Sequence, residues 1–209
     1  MNARTLFGTL LLLLASSLVR AESQVPPLPP AQKAVLVTGA STGIGRKITE
    51  RLAAQGYFVY AGARKEADLA ELDAIENVQS VRLDVTKPDE IAAAVKTITE
   101  ANRGLYALVN NAGVAVSGPM MQSKDEDFQY VMDVNVYGPY RVTKAFAPLI
   151  VESQGRITTI SSISGILSAP TLGIYSMSKH AMEAFGDSLA GEMEPLGVQV
   201  SLVEPGNFN

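Results

Sequence analysis

The chain has no cysteine and only one histidine, His180. The first absence excludes a disulfide framework, a thiolate-bound metal and a cysteine nucleophile. A single imidazole is too few for a histidine-based zinc site. Excess positive charge is also missing. With 17 Lys and Arg against 21 Asp and Glu, the formal net charge is −4, which argues against nucleic acid as a partner. At 209 residues there is no room for two comfortable domains. What is present is core material: 47% of residues are hydrophobic and 18% charged, the balance of a globular domain and not of a disordered chain. The chemistry must come from hydroxyls, phenols, amines, amides or carboxylates, or from a bound cofactor.

The one extended apolar run is too short for an ordinary membrane span. Residues 6–19 form a run of 14 between Arg4 and Arg20, where a spanning helix needs about 20. The run fits the core of a signal peptide, with Val19-Arg20-Ala21 as the cleavage site. Residues 1–21 are therefore read as a signal peptide leading to the secretory pathway (periplasm, exterior or endoplasmic reticulum). An uncleaved N-terminal membrane anchor is the alternative. Pro26, Pro27, Pro29 and Pro30 make 22–32 an extended linker. Residues 33–209 are read as one folded domain.

From residue 33 on, short apolar runs alternate with longer stretches of helical spacing. Strands are expected at 34–37, 57–61, 78–83, 105–109, 156–160 and 198–203. Helices are expected at 43–55, 68–75 and 86–102, then as one long helix from about 125 to Ile150, and finally at 174–194. Thr86 with Asp89, and Ser123 with Glu126, have capping-box spacing. Continuous apolar strands alternating with helices predict a parallel sheet covered on both faces. With right-handed crossovers this becomes an α/β, Rossmann-type doubly wound sheet in a single domain, whose ligands bind at the carboxyl ends of the strands.

The first strand leads into Thr38-Gly39-Ala40-Ser41-Thr42-Gly43-Ile44-Gly45. Glycines here let the backbone turn tightly and approach a pyrophosphate. The helix that follows offers free N–H groups and the positive end of its dipole. A plain strand-to-helix turn is the competing reading, and the position between strand and helix favours the dinucleotide. The Gly-Lys-Ser/Thr ending of a nucleotide-triphosphatase loop is absent, which disfavours ATP. After the second strand, Arg64 and Lys65 stand where an acidic residue would bind a ribose 2′-hydroxyl. An arginine can pair with a 2′-phosphate, so NADP is expected over NAD. Asp84, after the third strand, is placed to accept from an adenine amino group.

Tyr175 and Lys179 are spaced i, i+4 and share one helix face. A free tyrosine ionises near pH 10, and a neighbouring ammonium favours the phenolate, so the pair can act as a general acid/base. Ser162 lies 13 residues before Tyr175 at the end of the fifth strand, and Asn110-Asn111-Ala112-Gly113 ends the fourth strand at the same sheet edge. His180 points about 100° away from Lys179 and is read as structural or surface. The absence of a G-x-S-x-G elbow argues against a serine hydrolase.

Together these pieces resemble the single-domain branch of the short-chain dehydrogenase/reductase family. They comprise the glycine turn, Asp84-Val85, Asn110 to Gly113, Asn135, Ser162, the Tyr175/Lys179 pair and Pro205-Gly206. The resemblance implies that Tyr175 is the proton donor or acceptor. Lys179 would assist it and hold the nicotinamide ribose, Ser162 would bind the substrate oxygen, and Asn135 would position a water linking Lys179 to solvent. It implies cofactor contacts from Gly39, Ser41, Thr42, Gly43, Ile44, Gly45, Arg64, Asp84, Val85, Asn111, Ala112, Gly113, Tyr175, Lys179, Pro205 and Gly206. A homo-oligomer built through the helices of 125–150 and 174–194 is also implied.

The apolar segments Pro119-Met120-Met121, Ile166-Leu167 and Pro170-Thr171-Leu172 suit a hydrophobic alcohol or ketone. Residues 134–136 and 177–183 are similar to the hydroxysteroid and retinol dehydrogenase branch. A sugar-nucleotide epimerase of the same superfamily is disfavoured by its glycine spacing. The family normally continues past the Pro-Gly pair with a substrate lid and a last strand, whereas here Asn207, Phe208 and Asn209 follow. The alternative function is therefore a cofactor-binding chain with impaired turnover.

Overall fold

The computed structural model describes residues 32–206. The signal-peptide or anchor segment and residues 22–31 of the linker lie outside the described residues, as do Asn207, Phe208 and Asn209. Six strands form one sheet in the order β3-β2-β1-β4-β5-β6, every neighbouring pair parallel. They are β1 (Ala34–Val37), β2 (Phe58–Ala63), β3 (Val78–Arg82), β4 (Ala107–Asn110), β5 (Arg156–Ile160) and β6 (Gln199–Val203). The helices are α1 (Gly43–Ala54), α2 (Glu66–Asp73), α3 (Pro88–Glu100), α4 (Asp125–Met132), α5 (Gly138–Glu152) and α6 (Gly173–Met193). This is the expected doubly wound α/β fold.

The sheet is buried because both faces are covered, and the period of two decides which residue meets which cover. In β1, Val35 and Val37 pack with Val59, Ala61, Leu69 and Leu72, under α1 and α2. Ala34 and Leu36 face the other way, toward Ile91 and Ile98 of α3 and Phe146 and Ile150 of α5. Full burial of side chains such as Phe146 and Ile150 is worth roughly 1.5–3 kcal/mol each. The chain steps outward from β1 through β2 to β3, then crosses back to β4 on the other side of β1. That reversal opens a crevice at the carboxyl ends of β1 and β4, the position where doubly wound sheets take ligands.

Three local expectations need correction. The Thr86/Asp89 capping box does not form: α3 starts at Pro88, and Lys87 before it makes no side-chain cap. Thr86 instead gives both its N–H and its hydroxyl to Asp84 Oδ1, at 2.9 and 2.7 Å, and Glu90 accepts from the Asp84 N–H at 2.7 Å. Proline suits the first helical position because it has no N–H to cap. Likewise, Ser123 donates to the Pro119 carbonyl, and α4 begins without a side-chain cap.

The expected single helix to Ile150 is also interrupted, by a π turn over Asp133–Tyr137. Pro139 has no N–H to give the Asn135 carbonyl, and its ring would crowd that carbonyl in a regular helix. The widened turn relieves the clash and sets Asn135 facing inward; such turns recur at functional sites. Smaller differences follow pairing: β2 continues to Ala63 because Ala63 pairs with Arg82 of β3.

Candidate active site

The site begins at the turn after β1. Gly39 and Gly43 have φ of +63° and +57°, which only glycine adopts freely. Gly45 is required by close approach: a Cβ there would lie 2.3 Å from both the Gly39 carbonyl oxygen and Asn111 Nδ2. Thr42, before α1, is extended and makes no side-chain cap, and the first turn carries no acid. The first amides of α1 and its positive dipole end are therefore left for an anion.

Thr38, which sequence reasoning left without a role, ties this turn to the end of β4. Its Oγ1 accepts from the N–H groups of Asn111 and Ala112, both at 3.0 Å. Asn111 Nδ2 returns hydrogen bonds to the Thr38 and Gly39 carbonyls at 2.9 and 3.0 Å. The crevice is thus braced by side chain and backbone from both central strands. A Thr next to the first glycine of the turn was the only signal for it.

A cavity of about 450 Å3 runs from this turn across the strand ends. The turn supplies Gly39, Ser41, Thr42 and Ile44 to its wall. Beyond β2 come Arg64 and Lys65, beyond β3 Asp84 and Val85, and beyond β4 Asn111, Ala112 and Gly113. Gly43 and Gly45 shape the turn without lining the cavity. The Arg64 side chain is 59% exposed, with Nη1 4.0 Å from Asp84 Oδ2. Arg82, also overlooked in the sequence, donates to the Arg64 carbonyl at 2.7 Å and pairs with Glu66, fixing the loop from which Arg64 projects.

A second cavity, about 390 Å3, shares Ile44, Asn111, Gly113 and Val114 with the first. Ser162, Tyr175 and Lys179 all line it, with Pro205 and Gly206 at its edge. The i, i+4 spacing on α6 stacks Tyr175 and Lys179 on one face, with Lys179 Nζ 5.7 Å from the centre of the tyrosine ring. Lys179 is 5% exposed, and its Nζ donates to the Ile160 carbonyl at 2.8 Å. Burial pushes its ammonium down to about 8, against an opposing pull from Glu183 one turn further on. At neutral pH it stays mostly protonated. Ser162 Oγ accepts from the Ser164 N–H at 3.1 Å, which leaves its own proton free for another acceptor.

Asn135 lines neither cavity. It is 1% exposed. Its Oδ1 accepts from the Val114 N–H and its Nδ2 donates to the Val114 carbonyl, both at 2.8 Å, while Nδ2 also reaches Ser178 Oγ at 3.0 Å. The π turn thus clamps the wall that the two cavities share and connects it to α6. Gly113 lies between Asn135 and Lys179: a Cβ there would be 3.5 Å from Asn135 Oδ1 and 3.8 Å from Lys179 Nζ. Asn110 turns away into the core, donating to Thr143 Oγ1 at 2.9 Å. His180 is exposed, its Nδ1 2.9 Å from the Ser176 carbonyl oxygen, as expected of a residue off the catalytic face.

Solved structures share this arrangement of strands and helices. A short-chain dehydrogenase from Streptomyces avermitilis superposes with a TM-score of 0.83 at 34% identity, over 87% of this chain and 68% of that one. ElxO with NADP bound gives 0.80 at 28% identity, over 84% and 73%. A short chain dehydrogenase/reductase from Burkholderia phymatum in complex with NAD gives 0.79 at 32%, over 84% and 66%. Mitochondrial D-beta-hydroxybutyrate dehydrogenase of Rattus norvegicus is 38% identical over 186 residues, 84% of this chain and 54% of the relative. Retinol dehydrogenase 5 of Mus musculus is 39% identical over 186 residues, 87% of this chain and 58% of the relative. The chain therefore spans little more than half the length of these curated relatives. The family model for short chain dehydrogenases matches residues 33–209, from the residue before β1 onward. On that match, and on relatives nearly two-fifths identical along the same stretch, the chain belongs to the short chain dehydrogenase family.

Proposed function

We propose that this chain is an NADP-dependent oxidoreductase that interconverts a hydrophobic alcohol and its ketone or aldehyde. The observation that carries this reading is the adjacency of the two cavities. A trough suited to a dinucleotide shares Ile44, Asn111, Gly113 and Val114 with a chamber lined by Ser162, Tyr175 and Lys179.

The residues present fit the cofactor. The α1 amides lack a cap, and a Cβ built on Gly43 would meet nothing within 4 Å, so the turn is open toward a ligand. Ser41, Thr42, Ile44 and the α1 amides would hold the pyrophosphate. Asp84 and Val85 would hold the adenine, and Asn111 to Gly113 the ribose side. Arg64, with Lys65 beside it, would hold a 2′-phosphate, since the residue directly after β2 is Arg64 and not a carboxylate, the acids of this wall being Asp68 and Asp84. Tyr175, Lys179, Pro205 and Gly206 would meet the nicotinamide end. When bound, the nicotinamide supplies or accepts the hydride.

The chain's own residues handle the proton. In the reducing direction, the Tyr175 hydroxyl gives its proton to the substrate oxygen as that oxygen gains negative charge. Ser162 donates its free hydroxyl hydrogen to the same oxygen, because its lone pair is already engaged by the Ser164 N–H. Lys179, still protonated near neutral pH, keeps its positive charge 5.7 Å from the centre of the ring that gives up the proton. Asn135 acts on this set through Val114 and Ser178.

The relatives are named for a hydroxy acid and for retinol, and the chamber favours the apolar alternative. Among the described residues lining it, Lys179 is the one cation, and in this mechanism it serves Tyr175 and the nicotinamide end, which leaves a carboxylate substrate without a cation of its own. Ile163, Leu172, Val114 and Ala115 supply apolar wall, and Met120 packs against Gly173 at the start of α6. A homo-oligomer through α4, α5 and α6, and a secretory or membrane-anchored location set by residues 1–21, complete the proposal.

The test is Tyr175→Phe. It should remove turnover at least a hundredfold while NADPH still binds, measured by quenching of the bound nicotinamide's fluorescence. Retained turnover would take Tyr175 out of the mechanism.

A further inference from the structure

Tyr175, Lys179 and Glu183 recur every four residues along α6, so a single stripe of that helix faces the end of β5. The first two have roles in the proposed mechanism; the third does not. Its surroundings give it one. Lys179 Nζ takes the Ile160 carbonyl at 2.8 Å, and one residue on, Ser161 Oγ donates to Glu183 Oε1. Ser161 is buried, and its N–H is held by the Val203 carbonyl of β6 at 2.8 Å. Past Ser162, the chain turns sharply over Ile163–Gly165 and closes onto the same carboxylate. A Cβ at Gly165 would lie 2.6 Å from Glu183 Oε1 and 2.9 Å from Ser161 Oγ. Ser162 is therefore held between two segments that both rest on Glu183: Ser161 before it and the turn after it.

We propose that Glu183 is a positioning residue, which fixes Ser161 and the following turn so that the Ser162 hydroxyl stands at working distance from Tyr175 and Lys179. This rests on the proposed roles of those three residues. The bond from Ser161 is charge-assisted, the stronger class of hydrogen bond, and it sits in a partly buried place where loss of the acceptor leaves a buried hydroxyl unpaired. A shift of Ser162 by about 1 Å costs on the order of a hundredfold in rate without touching the chemistry.

The experiment compares Glu183→Ala, Ser161→Ala, the double variant, Glu183→Gln and Tyr175→Phe in the full chain, with NADPH and decanal as probes. Glu183→Ala and Ser161→Ala should each lower kcat about 10- to 100-fold with NADPH affinity unchanged. The double variant should be no worse than the poorer single, because both remove one bond. Glu183→Gln keeps an acceptor oxygen and should stay within about threefold of the parent. Unchanged kcat in Glu183→Ala, or losses that multiply in the double variant, would overturn the proposal. Full turnover in Tyr175→Phe would instead overturn the underlying mechanism. Amide exchange reads the same bond without turnover. The Ser164 and Gly165 amides should exchange faster in Glu183→Ala and recover in Glu183→Gln, and unchanged protection would overturn the proposal on its own.

Discussion

Replacing Lys179 with methionine should make the protein more stable and inactive at once. The ammonium is 5% exposed, and among the described residues Glu183 is the charge that opposes the effect of burial, so burial dominates and lowers it from 10.5 to about 8. At roughly 1.4 kcal/mol per pH unit, holding this group charged in the fold costs about 3 kcal/mol at neutral pH. Methionine has a similar length and fills the channel without charge. It forfeits the hydrogen bond to the Ile160 carbonyl, a loss of about 1 kcal/mol. The net expectation at pH 7 is a gain of about 2 kcal/mol in unfolding free energy, together with loss of turnover. Such opposition between stability and activity is common where a site holds a group in an unfavourable place.

The pH dependence separates this account from simple repacking. A lowered lysine pKa means that, between about 8 and 10.5, the unfolded chain binds more protons than the folded one, so stability rises with pH in that window. The Lys179 contribution is unfavourable below 8 and is relieved as pH approaches 10.5. Between pH 7 and pH 10 the parent should gain about 2–3 kcal/mol relative to Lys179→Met. Urea unfolding of both proteins at several pH values measures the difference, and the subtraction removes the titration of all other groups. A difference that stays flat from pH 7 to 10, or a methionine variant less stable than the parent at pH 7, would refute the reasoning.

Three further predictions concern the cofactor trough and the wall behind it. Arg64→Ser should weaken NADPH binding tenfold or more and leave NADH binding unchanged, because it removes the cation offered to a 2′-phosphate; equal losses for the two would assign Arg64 a structural part only. Gly45→Ala places a methyl 2.3 Å from the Gly39 carbonyl oxygen, so it should cost about 1–3 kcal/mol in urea unfolding and reduce affinity for both dinucleotides. Asn135→Ala strips both Val114 backbone groups of their partner, which should cost about 2–4 kcal/mol in thermal unfolding and lower kcat, whereas Asn135→Asp should recover the N–H acceptor but not the donor.

How much of this could be read from the residues alone depends on how local each cause is. The alternation of apolar strands and periodic helices names the sheet, because Val35, Leu36 and Val37 form a short buried run bounded by turn residues, and a sheet covered on both faces buries such a run. Gly39, Gly43 and the Tyr175/Lys179 spacing were legible for the same reason: a tight turn needs glycine, and one helix face is fixed by four-residue steps. The interrupted helix was harder, since the periodicity of 125–150 carries through it and only Pro139 marks the break. The capping boxes failed because both helices begin one residue later than the boxes require, with Lys87 and Lys124 at the cap positions, and the two hydroxyls bond elsewhere. Asp84 takes both donors of Thr86, and the Pro119 carbonyl takes Ser123.

What no spacing rule reaches is a bond between residues distant in the chain. Thr38 holds Asn111 and Ala112 across more than 70 positions, and Ser161 meets Glu183 across 22. These long-range bonds connect β1 to β4 and β5 to α6, so they set the distances between groups that the sequence can identify only one by one. The residue types in a site follow from the chemistry and are legible. Their separation follows from the packing of elements, and in this protein it depends on hydroxyls next to the residues that the sequence singles out.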